Sequence, residues 1–208
     1  MNKDKIIKEV KDYYTEKILE HGPSPMGVDW NSVESQEMRF SQLLQIITSP
    51  DDSFSLLDYG CGYGSMYEYM KNRFKKIFFT GYDISPAMIE EAKNKFTESG
   101  ADWSMELNEH NQYDYVVASG IFNVRLKNSD KEWMDYILKT LDTLNKYSTK
   151  GFSFNALTKY SDAEYMKDYL FYADPCYLFD YCKKYFSKKV SLIHDYPLYE
   201  FSILIRKD

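Results

Sequence analysis

Leu56-Leu57-Asp58-Tyr59-Gly60-Cys61-Gly62-Tyr63-Gly64 is the stretch that decides how this chain is read. The apolar run from Phe54 to Leu57 is short, as befits a strand buried on both faces of a parallel sheet. Three glycines at alternate positions follow. They permit positive φ and let a ligand come close to the main chain. Met66, Tyr67, Met70 and Phe74 then recur at helical intervals. A ligand at that turn would sit where strand gives way to helix, beside unpaired backbone N–H groups. Tyr59, Gly60, Cys61 and Gly62 would border it.

A second short apolar strand, Ile77 to Tyr82, ends in Asp83. This acid stands roughly twenty residues beyond the turn, the spacing at which a carboxylate on the next strand accepts hydrogen bonds from a ribose diol. Ile84 is placed to pack on an adenine face. Ala101-Asp102-Trp103 is expected at the end of a third strand, with Asp102 accepting from an exocyclic amine and Trp103 lining the base pocket. A NAD-type fingerprint would need its third glycine at position 65, where this chain has Ser65. Asp58 also argues against a pyrophosphate, because an anion at that turn would meet its carboxylate at short range.

These strings, together with Tyr113-Asp114-Tyr115-Val116-Val117-Ala118-Ser119-Gly120, resemble the class I S-adenosylmethionine-dependent methyltransferases. The resemblance spans about Phe54 to Gly120. It implies an α/β, Rossmann-like fold: a seven-stranded, mostly parallel sheet with an antiparallel last strand and helices on both faces. It also implies S-adenosylmethionine as methyl donor and S-adenosylhomocysteine as product. The Ser119 carbonyl would accept from the methionyl ammonium, with Gly120 beside it. In some relatives an arginine upstream of the first strand binds the methionyl carboxylate, a role open here to Arg39; the alternative is a charge on a helix surface. Gln36 lies one turn before Arg39 and can share its face. Trp30 stands in a Pro/Gly-rich entry loop, either touching the donor or anchoring that loop.

The chain has 208 residues, 44% of them hydrophobic, enough for one sizeable core. We read residues 1–208 as one domain: a helical cap or lid over 1–50 and a Rossmann-like core over 51–208. No apolar run is long enough to span a bilayer, and the first residues lead into a mixed polar helix and not a secretory segment. Three cysteines without metal-ligand spacing suggest a reducing cytoplasm and no metal site. Cys61 reads as a small side chain that fits between turn glycines. A net charge of −6 lowers the odds of a nucleic-acid partner.

Hydrophobic spacing predicts helices over Lys3–Leu19, from a cap at Asn31 or Ser32 to Ile47, after Ser85-Pro86, from Ser129 or Asp130 to about Tyr147, and from Asp174-Pro175 to Tyr185. It predicts further strands at Tyr113–Ala118, Gly151–Asn155, Val190–His194 and Tyr199–Arg206. Tyr160–Phe171 is read as helical or irregular.

In an open α/β sheet the ligand crevice lies outside the carboxyl ends of the strands. Asn123 and Asn155 follow the fourth and fifth strands there, and Tyr172 lies in the connection to the last helix. His194 is expected at a strand end, before Asp195. These four are the candidates for positioning an acceptor. The expected activity is in-line methyl transfer to an oxygen or nitrogen of a small molecule, by a cytoplasmic protein with no membrane or nucleic-acid partner that can form a homodimer. The alternatives are a catalytically inert donor-binding partner protein and a NAD-dependent oxidoreductase.

Overall fold

The computed structural model describes residues 3–30 and 32–207. The chain opens with helix α1 (Lys3–His21), a 3₁₀ turn at Pro25–Val28, and α2 (Val33–Leu43). Ser32 caps α2, its Oγ accepting from Ser35 N at 3.1 Å; the other expected cap, Asn31, lies outside the described residues. Then follow β1 (Phe54–Tyr59), α3 (Ser65–Met70), β2 (Ile77–Tyr82), α4 (Pro86–Lys95), β3 (Asp102–Ser104) and β4 (Tyr113–Ala118). The last third holds α5 (Asp130–Tyr147), β5 (Ser148–Leu157), α6 (Pro175–Tyr185), β6 (Lys189–Ile193) and β7 (Glu200–Arg206).

The seven strands form one sheet in the order β3-β2-β1-β4-β5-β7-β6. β7 runs antiparallel to both β5 and β6, while the pairs among β1 to β5 are parallel. Alternation along the central strands gives each face its own core. Leu57, Val116 and Ala118 face α1, α5 and α6, packing with Val10, Trp133, Ile137 and Leu178. Leu56, Tyr115 and Val117 face α2, α3 and α4, packing with Leu43, Met70 and Ala92. Both faces are apolar because both are covered, which is why the strands read as continuous hydrophobic runs.

Local chemistry fixes the elements that aim at the crevice. Ser85 caps α4, with Pro86 in its first turn. Ser129 and Glu132 form a capping box at the start of α5. Asp174 caps α6, accepting from Cys176 N at 2.9 Å and Tyr177 N at 3.3 Å. β1 and β4 are adjacent, yet the chain leaves β1 toward β2 and reaches the other half of the sheet only through β4. Their carboxyl ends therefore make a topological switch point, where the two connections part and leave a crevice.

Candidate active site

The glycine turn closes β1 onto that crevice. Gly60, Gly62 and Gly64 take φ of 86°, 53° and 84°. Side chains rarely adopt such values, so the alternate glycines are required by backbone geometry. The turn is tied to β2: Gly60 N and Cys61 N both donate to Tyr82 O, at 2.7 and 2.9 Å. Asp83 completes the tie. Its Oδ2 accepts from Gly62 N at 2.9 Å and its Oδ1 from Ser85 N at 2.8 Å, so one carboxylate holds both the turn and the start of α4.

A cavity of about 190 Å³ opens beyond this turn. Asp58, Asp83, Ile84, Ser119, Ile121 and Gln36 are on its wall. Among the described residues no Lys, Arg or His lines it. Two acids, Asp58 buried and Asp83 half-buried, thus share a space that no described cation lines. The Asp58 carboxyl is pushed up to about 8, first by burial and then by the Asp83 carboxylate. Burial also raises Asp83, against the pull of its backbone N–H partners. Such a site penalises a phosphate and rewards a ligand with positive charge. Ser119 Oγ is buried without a hydrogen-bond partner among the described residues.

A second cavity, of about 400 Å³, adjoins the first. Tyr14, Val28, Trp30 and Gly120 line both. Trp30 is the partition. Its ring lies over the Arg39 guanidinium at 3.7 Å and so close to Gly120 that a Cβ there would meet it at 2.3 Å.

Comparison with known proteins agrees with this geometry. A family described as a methyltransferase domain matches residues 57–146. A Mycobacterium tuberculosis protein named "Putative methyltransferase Rv1506c" is 52% identical over 162 residues, covering 77% of this chain and 98% of that protein. The chain belongs to the class I S-adenosylmethionine-dependent methyltransferases. Two solved structures share the fold of this methyltransferase at low sequence identity. Magnesium protoporphyrin IX methyltransferase from Synechocystis PCC 6803, with bound donor, superposes with a TM-score of 0.67 at 14% identity and 97% coverage of each chain. DhpI in complex with S-adenosylhomocysteine gives 0.66 at 12% identity, again covering 97% of each.

Not every residue expected at the site is there. The methyltransferase places Trp30, Gln36, Asp58, Tyr59, Gly60, Cys61, Gly62, Asp83, Ile84, Ser119 and Gly120 around the first cavity. Asp102 and Trp103 are a correction: they open β3 instead of closing it. Asp102 pairs in register with Thr80, near the middle of β2, and is exposed away from the crevice. Trp103 is buried against Tyr67, Phe79 and Phe96 in the core. Arg39 is a second correction, being neither a surface charge nor on the first cavity. It is buried and bound to Glu200 by hydrogen bonds of 2.7 to 2.9 Å, and it lines the second cavity.

Asn123 and Tyr172 line the second cavity. Asn155 lines neither. It is fully buried, its Oδ1 accepting from Gly120 N at 2.8 Å and its Nδ2 donating to Glu200 at 2.6 Å, so it is a brace behind the wall. His194 is exposed beside Tyr160, outside both cavities. Cys61 is on the first wall, where burial pushes its thiol well up and disfavours the thiolate.

The sequence reading expected a cap over 1–50 but named none of the residues that roof the first cavity, Ile7, Val10 and Tyr14 of α1 with Tyr136 and Thr140 of α5. The i, i+3, i+7 stripe of α1 was visible, but a stripe of that kind does not say whether it covers core or ligand. Asp29 was also missed. Its φ of 60° is unusual for a non-glycine residue, and it lies on the second cavity with Oδ2 accepting from Tyr13 Oη at 2.9 Å.

Proposed function

We propose that this methyltransferase moves a methyl group from S-adenosylmethionine, held in the first cavity, to an oxygen or nitrogen of a small molecule in the second. One observation carries the reading: the cavities share Trp30 and Gly120, so their contents meet across one partition. Bound S-adenosylmethionine supplies an already activated methyl group on a sulfonium. What the chain has to add is alignment and exclusion of water, and alignment is worth ~7–11 kcal/mol in favourable cases.

Asp83 takes the ribose hydroxyls while keeping its bonds to Gly62 and Ser85. Ile84 and Ile121 flank the base. Asp58 offers its charge to the cationic end of the donor, and Ser119 its carbonyl to the ammonium. The described residues of the N-terminal helical segment, 3–30 and 32–50, cap the site, with α1 as its roof. The acidic chain and the size of the second cavity favour a small acceptor over nucleic acid. Three unpaired thiols suit a reducing cytoplasm.

Calorimetric titration with S-adenosylmethionine, S-adenosylhomocysteine and NAD tests the donor. The first two bind and NAD does not; binding of NAD alone would overturn the reading.

A further inference from the structure

The second cavity is walled by aromatic rings: Trp30, Tyr165, Tyr169, Tyr172 and Tyr199. Several are held in place. Trp30 is stacked on Arg39. Tyr172 Oη accepts from Lys167 N at 2.9 Å, and Tyr199 Oη donates to Asp162. The Tyr165 and Tyr199 rings lie 5.7 Å apart. Rings fixed before a ligand arrives contribute stacking without the entropy of ordering them.

The charges on the same wall are unevenly answered. Glu200 is neutralised by Arg39 at 2.7 Å, and Asp29 faces Lys17 at 3.5 Å as well as the Tyr13 hydroxyl. Two cationic donors remain. Arg39 Nη1 is buried and has no hydrogen-bond partner among the described residues. Lys167, exposed at the rim, makes no ion pair with a described residue. A buried guanidinium N–H without an acceptor is rare in a folded protein, and of the two cations on this wall, Arg39 and Lys167, only Lys167 has no carboxylate partner among the described residues.

We propose that the methyl acceptor is a planar aromatic molecule carrying an anionic group, such as a carboxylate. Its ring lies among Trp30 and the tyrosines, and its anion faces Arg39 Nη1 and Lys167. This rests on reading the second cavity as the acceptor site.

Salicylate, its neutral amide salicylamide, the aromatic amine tyramine and the aliphatic dicarboxylate glutarate are titrated into protein saturated with S-adenosylhomocysteine. Calorimetry reads the binding, and Trp30 adds a fluorescence signal. Salicylate binds about fivefold tighter than salicylamide, the scale of one partly exposed ion pair, and Lys167→Gln removes most of that difference. Lys167 is exposed, so the variant keeps its fold. Equal binding of acid and amide, or tighter binding of tyramine or glutarate, overturns the proposal. So does the binding of none of them by protein that holds S-adenosylhomocysteine. Failure of S-adenosylhomocysteine itself to bind overturns the underlying methyl-transfer reading instead.

Discussion

Arg39 and Glu200, 161 residues apart, form a buried pair in which Nε and Nη2 of one both reach the carboxylate of the other. Asn155 donates to the same carboxylate at 2.6 Å and accepts from Gly120 N at 2.8 Å. A single polar chain thus runs from α2 through the ends of β7 and β5 to the partition between the cavities. Glu200→Gln leaves the Arg39 guanidinium buried without its counter-charge, a change that costs ~3–5 kcal/mol. Urea unfolding should show that loss. An unchanged midpoint would mean that the pair does not hold these elements together.

Asp58 makes the protein sensitive to pH. Burial and the Asp83 carboxylate push its carboxyl up to about 8 in the fold from an ordinary value of 3.8. Between those values the folded chain keeps a proton that the unfolded chain has released. Its contribution is therefore most favourable below the unfolded value and is lost progressively as pH rises toward about 8. Asp58→Asn removes this slope, so the variant gains stability relative to the parent as pH rises from mildly acidic to mildly alkaline. Urea midpoints across that range check the sign.

The same group ties donor binding to proton release. A sulfonium or ammonium near Asp58 favours its ionised form. Near neutral pH, S-adenosylmethionine should displace a proton into the buffer. Titrations in buffers of different ionisation enthalpy should then give different heats. Identical heats would mean that Asp58 is already ionised in the free protein.

Gly120→Ala tests the partition. Gly120 has a φ of 76°, and an added Cβ would meet Trp30 at 2.3 Å. Gly100 supplies the control, with a φ of 70° and nothing within 4 Å of its Cβ position. Both substitutions carry the left-handed backbone penalty of ~1–2 kcal/mol. Only Gly120→Ala should also shift tryptophan emission and weaken donor binding. Equal behaviour of the two variants would remove Trp30 from the partition.

What the sequence revealed follows from where the information lies. β4 and α6 begin and end where hydrophobic spacing and the Asp174-Pro175 start place them, because local chemistry sets those limits. The glycine turn and the position of Asp83 after β2 were legible because their spacing is fixed by one strand-helix-strand unit, β1-α3-β2. The partner of Arg39 was not, since a contact across 161 residues leaves no local trace. His194 was expected to end an edge strand, and β6 is the edge strand of the sheet but stops one residue earlier, at Ile193.

Asp102 and Trp103 were misplaced for a related reason, and they yield the sharpest contrast between core and site. β3 is three residues long, and so short a strand does not fix its own register. A displacement of two residues moved Asp102 from the carboxyl end of the sheet to an exposed position beside Thr80, and set Trp103 against Gly81. Trp103 stacks on Phe96 at 5.5 Å and meets Tyr67 edge-on at 5.9 Å. Its side chain therefore holds α3 and α4 to the sheet and lies outside the first cavity. Trp103→Leu should destabilise the fold by ~2–4 kcal/mol, as truncation of a large buried side chain does. The folded variant should bind S-adenosylmethionine as the parent does, and Asp102→Asn should change neither property. A tenfold loss of donor affinity in either variant, measured by calorimetry at a temperature where it remains folded, would return β3 to the base pocket.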